Sequence, residues 1–505
     1  MDKERKKVVV PTVLFPDANR EAYVVGSRRA ERRLVVQEGA KRRQAHRTYN
    51  VAMFCDYFYP NMGGVENHIY QVASCLVQRG HKVIVVTHNY GERKGIRYLA
   101  SGVKVYYIPQ KIVYLQNSFP NYAVFLPWFR YITIREQIDI VHCHSAFSTF
   151  AMEVLLHSSV MGVRSCFTDH SLFGFADASS VIMNKILKSC ISDVKHVICV
   201  SNTSKENTVL RAQIHPKHVS VIPNAVNSNG FTPNPSARDP NKITIVVVSR
   251  LVYRKGADLL VELIPPICQK FPQVQFLIGG DGPKLVELEE MRERHQLHDR
   301  VELLGGLHHA KVRGVLTRGD IFLNCSLTEA FCIAIVEAAS CGLLVISTEV
   351  GGVPEVLPPH MMKLAQPDAA SLVAVLEETL SSGELERRTE EDFMQFHQQV
   401  QQMYSWWRVT EKTEKVYDKI WDSPIGSTLE RMKRHYGSGW VIGKMIVGIY
   451  ILSLLFLAWF AWFQPVDEID VALPFPAVRF RRTSSRALQH RIEDDEKAKE
   501  GATLA

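Results

Sequence analysis

The sequence predicts an α/β protein made of two facing, doubly wound domains and one transmembrane helix near the C-terminus. Three observations lead to this fold class. Short apolar segments alternate with segments of helical spacing in two runs, a stretch rich in Asn, Pro and Ser divides the runs, and a long uncharged segment follows them. A chain of 505 residues is also too long to share one hydrophobic core.

The first run, residues 50–225, has the pattern of a parallel sheet covered by helices. Val65, Ile69, Val72 and Leu76 repeat at helical spacing. Residues 82–87 (KVIVVT) form a continuous apolar segment, which is typical of a strand buried on both faces. The remaining strands are predicted at residues 50–54, 103–108, 138–142, 163–168, 196–200 and 219–222.

The second run repeats this organisation after a break. Residues 226–241 are crowded with turn-forming side chains, which predicts a linker, and the alternation restarts in residues 242–391. Helical residues 392–421 follow and can pack back across the first domain. Ligands of open α/β sheets bind beyond the carboxyl ends of the strands, so two such domains facing each other would form one cleft. Strands are predicted here at residues 243–249, 275–279, 301–304, 321–324 and 344–347.

The C-terminal segment differs in kind from the domains. Residues 445–463 carry no charge and span about 28 Å as a helix, close to the thickness of the hydrocarbon layer. A buried core helix is the alternative, but such a helix is rarely apolar on every face. We therefore predict a transmembrane helix at residues 441–463.

The charges beside this helix predict its orientation. Cations precede it and acids follow it directly, so the positive-inside rule places the domains in the cytosol and residues 464–505 in the lumen. The residues concerned are Arg431, Lys433, Arg434 and Lys444 on one side, and Asp467, Glu468 and Asp470 on the other.

Positive charge is concentrated at the N-terminus. The first fifty residues contain thirteen Lys and Arg against six Asp and Glu, which accounts for seven of the eight net positive charges. Residues 1–49 lack sustained periodicity and are predicted to be a disordered basic extension. The domains are therefore nearly neutral, which argues against nucleic acid as a partner.

The ten cysteines indicate a reducing compartment. They occur singly, mostly in apolar segments, and no Cys-x-x-Cys pair is present. The His142-Cys143-His144 cluster lacks further ligands at a matching interval, so we predict no metal site there.

Three loops are predicted at one rim of the cleft, each suited to an anion. Gly63 and Gly64 open a helix after the first strand, although a structural turn would look the same. Arg250 and Lys255 follow the strand at residues 243–249, and two cations there can neutralise a diphosphate. Gly280 follows the next strand and allows close approach of the backbone.

The sharpest motif is a pair of glutamates, Glu329 and Glu337, separated by seven residues. On one helix they would lie about 12 Å apart, roughly the distance between the sugar and the ribose of a nucleotide sugar. The amides of Ala330, Phe331 and Cys332 are predicted at the helix start, where they can hold ligand oxygens. As purely structural residues the glutamates would be a capping acid and an unpaired, half-buried acid, and the second is unusual.

Together these motifs resemble the retaining GT-B glycosyltransferases of family four, which have two Rossmann-like domains. The shared features are Gly63-Gly64, the SRL…RKG segment, GGDGP, the two spaced glutamates and GGVPE, within residues 50–421. Longer strings such as YPNMGGVE, FTDHSLFGFAD and SLTEAFC resemble the PIG-A family, the catalytic subunits of phosphatidylinositol N-acetylglucosaminyltransferase.

The resemblance implies transfer of N-acetylglucosamine from UDP-N-acetylglucosamine to phosphatidylinositol, the first step of glycosylphosphatidylinositol (GPI) anchor synthesis at the endoplasmic reticulum membrane. It implies that Arg250 and Lys255 hold the diphosphate, Glu329 the sugar and Glu337 the ribose. It also implies a role for His170 beside the reacting sugar, and a multisubunit membrane complex. Retention of configuration belongs to the family. No metal or other cofactor is expected, because the domains lack an Asp-x-Asp pair.

Two other functions fit parts of the sequence. A nucleotide-sugar 2-epimerase of the same fold would eliminate UDP instead of transferring the sugar, although a membrane anchor is unexpected for that chemistry. A non-catalytic scaffold subunit would be expected to have lost the charges at Arg250, Lys255 or Glu329, and all three are present.

Overall fold

The computed structural model describes residues 47–61, 63–114, 116–174 and 178–473. Most of the predicted N-terminal extension, and the tail beyond residue 473, lie outside these ranges. The predicted end of the extension at residue 49 is too late, because Tyr49 belongs to the fold. Its ring is buried, and its hydroxyl donates to Asp418 Oδ1 at 2.6 Å.

The N-terminal domain is built on an eight-stranded sheet with the order β10-β9-β8-β7-β1-β2-β4-β3. All neighbours pair in parallel except β3, an edge strand that is antiparallel to β4. A separate hairpin, β5 and β6, follows β4. The strands are β1 Asn50–Phe54, β2 Lys82–His88, β3 Gly95–Tyr98, β4 Lys104–Ile108, β5 Ile112–Tyr114, β6 Asn117–Ser118, β7 Ile140–His144, β8 Arg164–Asp169, β9 His196–Cys199 and β10 Val219–Val221.

The C-terminal domain has a fully parallel six-stranded sheet with the order β13-β12-β11-β14-β15-β16. Two doubly wound sheets confirm the predicted fold class. The predicted strands appear within one or two residues, whereas the short strands β3, β5, β6 and β16 were not anticipated. The strands are β11 Ile243–Val248, β12 Val274–Gly279, β13 Val301–Gly305, β14 Ile321–Asn324, β15 Leu344–Thr348 and β16 Met362–Ala365.

Strand alternation explains why the sheets carry helices on both faces. In β1, Val51 and Met53 face one buried cluster, while Ala52 and Phe54 face another. The helices are α1 Gly64–Gln78, α2 Tyr122–Arg135, α3 Thr149–Met161, α4 Ala178–Cys190, α5 Asn202–Ala212, α6 Ala257–Lys270, α7 Leu285–Arg294, α8 His309–Leu316, α9 Ile333–Ser340, α10 Ala369–Ser381, α11 Glu390–Met403, α12 Trp406–Asp422, α13 Thr428–Tyr436 and α14 Ile442–Phe463.

The predicted return helix at residues 392–421 is two helices, α11 and α12. The chain leaves helical geometry at Tyr404 and Ser405, where Tyr404 N–H still bonds to Val400 O at 2.8 Å. Helix α11 packs on α9 of the C-terminal domain, and α12 crosses to the N-terminal domain. There Glu414 accepts from Arg79 Nε at 2.5 Å and lies 2.9 Å from His81 Nε2. The domains are thus joined at residues 226–241 and again by this return.

Helix α14 packs against the N-terminal domain. It is the one helix in the described ranges that is long and apolar enough to cross a membrane. One stripe, including Ile446, Tyr450 and Leu457, joins the cluster that contains Phe129 of α2. Tyr450 donates to Ser159 O at 2.9 Å. Only part of the helix surface is therefore free to meet lipid.

The residues after α14 also contact the N-terminal domain. Arg130 Nη2 donates to Gln464 O at 2.9 Å, and Arg135 Nη1 donates to Asp470 O at 3.1 Å. Ala472 N–H donates to Arg135 O at 2.8 Å. The start of the tail that was predicted to be lumenal thus lies on the N-terminal domain in this structure.

Candidate functional site

The two domains meet at the carboxyl ends of their strands. The loop with Gly351 and Gly352 reaches the N-terminal domain, where a Cβ on Gly351 would lie 2.6 Å from Leu172 Cδ1. At Gly352 it would lie 2.5 Å from Ser201 Oγ. Within the C-terminal domain a Cβ would come still closer, 2.1 Å from Glu329 O at Gly351 and 2.2 Å from Ala330 O at Gly352, so these glycines first fit the loop to the Glu329 segment and also let it approach the N-terminal domain.

Lys255 and Glu329 form an ion pair in this cleft. Lys255 Nζ contacts Glu329 Oε1, and Ser326 Oγ lies 2.9 Å from the same oxygen. Gly256 fixes the loop of Lys255, because a Cβ there would lie 1.8 Å from the carbonyl oxygen of Cys325, just before Ser326. Its φ of 72° also favours glycine.

Arg250 lies at the end of β11 with an exposed side chain, and in the described ranges it forms no ion pair. Its charge acts across the cleft on Glu66, a residue that the sequence analysis overlooked within the GGVE string. Burial raises the pKa of Glu66, and Arg250 opposes that rise. Arg250 also lowers the pKa of Arg254, although burial of Arg254 is the larger cause. A cation in this position is available to an anionic ligand.

The N-terminus of one helix from each domain lies at the cleft. Helix α1 begins at Gly64 and α9 at Ile333, and a Cβ on Gly64 would lie 3.5 Å from Ile333 Cδ1. Gly63 is the N-cap of α1, with extended backbone and no side-chain cap. The positive ends of two helix dipoles therefore lie close together, which favours an anion nearby.

The structure gives Gly280 a packing role. A Cβ on Gly280 would lie 1.8 Å from Ser249 O, the residue before Arg250. Gly280 N–H donates to Gly305 O at 2.8 Å, so this amide is already used within the domain. The glycine fixes the loop that carries Arg250, and its contact with a ligand stays a prediction.

The motif with both glutamates is only partly helical, which corrects one expectation. Helix α9 begins at Ile333, so Ala330 and Phe331 precede it, and Cys332 is its N-cap with φ 64°. Ala330 and Phe331 are buried, and the Phe331 ring packs edge-on against Tyr404 at 5.5 Å. The distance of about 12 Å between the glutamates assumed one continuous helix and therefore does not apply.

Glu337 lies on α9 and is buried without a partner. In the described ranges no group donates a hydrogen bond to its carboxylate and no cation pairs with it. Burial raises the pKa of Glu337 to about 8. A buried carboxyl with free acceptor oxygens is suited to ligand hydroxyl groups.

His170 belongs to a cluster of neutral imidazoles at the ends of β7 and β8. Its Nε2 lies 3.4 Å from His144 Nδ1, and its ring meets His68 edge-on at 4.6 Å. Burial, with the neighbouring His68 and His142, holds the pKa of His170 well below 6.5. His170 is thus neutral at pH 7 and acts as a hydrogen-bonding group, not as a fixed charge.

The cluster also contains a spacing that sequence analysis missed. One ring nitrogen each of His68, His144 and His170 lie within 4.8 Å of one another, close enough to hold a metal ion. His68 Nδ1 lies 2.8 Å from Asn224 Oδ1. These residues are far apart in the sequence. They meet because His144 and His170 lie at the ends of the neighbouring strands β7 and β8, and His68 lies on α1 beside them. The absence of a metal remains a prediction.

Glu355 forms a clasp between the domains. Its carboxylate accepts from the backbone N–H groups of Asn202 and Thr203, at 2.7 and 2.9 Å, and from both side chains. It thereby caps α5 from the opposite domain. In the sequence Glu355 stands out only as part of GGVPE, because a helix cap that comes from a distant segment leaves no local pattern.

Comparisons with known proteins agree with this geometry. Residues 88–177 match the family described as PIGA (GPI anchor biosynthesis), and residues 230–393 match glycosyl transferases group 1. The PIG-A subunit of phosphatidylinositol N-acetylglucosaminyltransferase from Homo sapiens is 54% identical over 433 residues, which cover 85% of this chain and 88% of that protein. The corresponding gpi3 subunit of Schizosaccharomyces pombe is 48% identical over 447 residues, covering 88% and 97%.

Solved structures share the fold at low identity. Sucrose-phosphate synthase from Thermosynechococcus elongatus superposes with a TM-score of 0.60 at 19% identity, covering 73% of this chain and 98% of that one. Anabaena HepE, in complex with UDP and glucose, gives 0.59 at 17% identity, covering 73% and 99%. The chain has the GT-B fold, and it belongs to the PIG-A family of phosphatidylinositol N-acetylglucosaminyltransferase subunits, which are glycosyltransferases.

Proposed function

We propose that this chain transfers N-acetylglucosamine from UDP-N-acetylglucosamine to phosphatidylinositol, the first step of GPI-anchor synthesis. The observation that carries the proposal is the Lys255–Glu329 pair, beside which the N-termini of α1 and α9 converge. These positive groups favour an anion, and carboxylates that can accept hydrogen bonds from sugar hydroxyls lie on the same loop and helix. The substrates follow from the names of its family members.

The donor would occupy the C-terminal side of the cleft. Arg250 and Lys255 hold the diphosphate, together with the backbone amides at Gly63 and Gly64. Glu329 accepts hydrogen bonds from the sugar, while the carboxyl of Glu337 binds the ribose. Because Lys255 already contacts Glu329, diphosphate binding shares or displaces this pair and frees carboxylate oxygens for the sugar.

The reaction follows from how charge develops. The bond between the sugar C1 and the diphosphate oxygen breaks, leaving negative charge on UDP and positive character on the sugar. The inositol hydroxyl attacks C1 from the same face, and its proton passes to the departing phosphate oxygen. Arg250 and Lys255 stabilise the growing charge, so the residues present supply the electrostatic stabilisation that this step needs.

His170 would lie on the acceptor side of the reacting sugar. A neutral imidazole can donate a hydrogen bond from one nitrogen and accept one at the other. Burial keeps the pKa of His170 below 6.5, so it does not place a second positive charge beside the cationic sugar. Its role is therefore to orient hydroxyl groups.

The proposed location is the endoplasmic reticulum membrane, in a complex with the other subunits of the transferase. The domains lie in the cytosol, α14 crosses the bilayer, and the distal tail enters the lumen. The hydrogen bonds that join Arg130 to Gln464, and Arg135 to Asp470 and Ala472, must break for the end of α14 and the tail to cross. A glycosylation tag placed after residue 505 should be modified, and a tag at residue 47 should not.

A product assay tests the proposed activity. The full chain, purified in detergent with its partner subunits, is incubated with radiolabelled UDP-N-acetylglucosamine and phosphatidylinositol. A labelled glycolipid supports the proposal. Free N-acetylmannosamine would instead indicate a 2-epimerase, and glycolipid formed at the parent rate by a complex carrying Lys255→Ala would indicate that this chain is a scaffold.

A further inference from the structure

The N-terminal domain exposes an unusual group of large apolar side chains. They lie on β5, on the segment after β6 and on α2, and each is 46–70% exposed. We call them the apolar face. Its members are Val113, Tyr114, Phe119, Val124 and Trp128. Contiguous exposed apolar surface of this kind marks a site of contact with a membrane or another protein.

Three members of the apolar face, Phe119, Val124 and Trp128, line one groove, and Val113 and Tyr114 lie on the adjoining hairpin. Phe119 N–H donates to Lys111 O at 2.7 Å, which joins the two ends of the β5–β6 hairpin. This groove of about 220 Å³ lies between the hairpin and the start of α2, with Lys111 also among its lining residues. The side chains are therefore held together by backbone structure.

The face continues onto α14. Helix α2 exposes Val124 and Trp128, while its Phe125 and Phe129 join the buried cluster that includes Tyr450 of α14. The free surface of α14 is apolar as well. Its exposed side chains include Leu452, Leu455, Trp459 and Trp462. The apolar face thus lies directly beside the helix proposed to enter the bilayer.

The face also reaches toward the cleft. Tyr57, which follows β1, donates its hydroxyl to Asn117 Oδ1 at 2.8 Å, linking the hairpin to the rim of the cleft. Phe147 is 43% exposed, and its ring stacks on Phe173 at 4.3 Å. Phe173 is three residues from His170. Apolar surface therefore extends from the hairpin to the proposed acceptor side.

We propose that the apolar face is embedded in the bilayer, so that the cleft opens at the level of the lipid headgroups. The proposal rests on the proposed function, in which the acceptor is a membrane lipid. The exposed cation of Lys111 borders the face, where it can reach anionic headgroups while its aliphatic stem stays in apolar surroundings. A lipid acceptor can then present its headgroup to His170 without leaving the membrane.

Depth-dependent fluorescence quenching tests the proposal. In four variants of the full chain, a single cysteine replaces Val113, Val124, Leu455 or Val286 and is labelled with bimane. Each labelled protein is then reconstituted with the partner subunits into vesicles that contain phosphatidylinositol and doxyl-labelled lipid. The ten native cysteines are buried or half-buried, so the parent protein gives the labelling background. Val286 on α7 is 57% exposed and is the matched control in the other domain.

Quenching at Val113→Cys and Val124→Cys, comparable to Leu455→Cys and at least threefold above Val286→Cys, supports the proposal. Quenching at Leu455→Cys alone overturns it. Quenching of these two labels that appears only when a partner subunit is left out also overturns it, because the face would then be covered by that subunit. This readout needs no turnover, so it is independent of whether the proposed reaction is correct.

Turnover supplies the second arm. Val124→Asp should lower the rate on phosphatidylinositol in vesicles about tenfold, and leave the rate on a short-chain, water-soluble phosphatidylinositol within twofold of the parent. The matched variant Val286→Asp should leave both rates unchanged. An equal loss of rate on both acceptors would contradict a role for the apolar face in membrane insertion. No product from any form would sink the proposed function and leave the quenching result to decide the membrane contact.

Discussion

Lys255 and Glu329 are 74 positions apart and form an ion pair at the cleft between the domains. The contact joins the loop after β11 to the loop after β14, which are adjacent strands in the sheet. In the free protein each group neutralises the other. The donor diphosphate offers Lys255 a stronger partner, and the sugar hydroxyls offer hydrogen bonds to Glu329.

Removing the cation should slow the reaction more than it weakens donor binding. Lys255→Ala removes stabilisation of charge that develops on the leaving UDP, so we expect kcat to fall about a hundredfold or more. Lys284→Ala is the control, since Lys284 lies in the same domain and pairs with Asp258 and Glu287. Initial rates with labelled donor measure the effect. Turnover of Lys255→Ala within threefold of the parent would remove this residue from the mechanism.

Glu337 should make stability depend on pH. Its pKa is raised to about 8 in the folded protein, above the ordinary value of 4.5. The folded state thus holds this proton more tightly, and the free energy of unfolding falls as pH rises from about 4.5 to 8. The side chain of Glu337→Gln cannot ionise, so this dependence is absent in the variant. The free energy of unfolding of the variant, minus that of the parent, should therefore rise across that window by on the order of 1 kcal/mol or more.

Thermal unfolding of the ligand-free protein at pH 5, 6.5 and 8 measures that difference. Glu329→Gln is a useful comparison, because Glu329 has a cationic partner and Glu337 has none in the described ranges. A constant difference between Glu337→Gln and the parent at all three pH values would show that Glu337 ionises normally.

The clasp at Glu355 should control closure of the cleft. Glu355→Ala removes the carboxylate that caps α5 from the opposite domain, so the open form gains population and KM for the donor should rise about three- to tenfold. Asp368→Ala is the matched control, because Asp368 caps α10 within its own domain, accepting from Ser371 N–H at 2.8 Å. If both variants change KM equally, the effect belongs to helix capping and not to domain closure.

His170 should leave no titration near pH 6.5 in the rate profile. Burial holds its pKa well below that value, so the imidazole stays neutral as pH falls from 8 to 6. We expect kcat of the parent to show no inflection there, and His170→Ala to lower kcat at least tenfold at every pH. His298→Ala, at an exposed histidine paired with Glu293, is the control. A sigmoidal loss of rate centred near pH 6.5 that disappears in His170→Ala would contradict the assignment.

The sheets were predictable from the sequence because parallel strands are buried on both faces. The segments at Lys82–His88 and Ile243–Val248 are each built around four consecutive apolar residues, VIVV and IVVV, as strands buried on both faces require. The exposed edge strand β3, Gly95–Tyr98, carries no such signal, and all four of its residues are exposed. Strand prediction therefore succeeded where burial dictates composition.

The site was predictable only where its residues occur in local motifs. Lys255 and Glu329 each follow a strand, so their convergence was inferred from sheet geometry. The start of α9 was predicted too early. Cys332 adopts a left-handed backbone conformation and the helix begins only after it, and a cysteine side chain does not predict that conformation. His68, His144 and Glu355 act through contacts between distant segments, which one sequence cannot reveal.

The packing of α14 on the N-terminal domain was the largest departure. A uniformly apolar segment predicts a helix surrounded by lipid, and its composition is equally suited to the buried stripe at Ile446, Tyr450 and Leu457. Only the apolar surface of α2 and its neighbours distinguishes the two arrangements. That surface is assembled from separate segments, so the sequence pattern of α14 alone could not show it.

A structure of the full chain with UDP-N-acetylglucosamine bound would test the central claim most directly, through the distance from Lys255 Nζ to the nearest diphosphate oxygen. We predict a contact of about 3 Å, with Glu329 within hydrogen-bonding distance of the sugar. A diphosphate seated elsewhere, with Lys255 still bound only to Glu329, would contradict it.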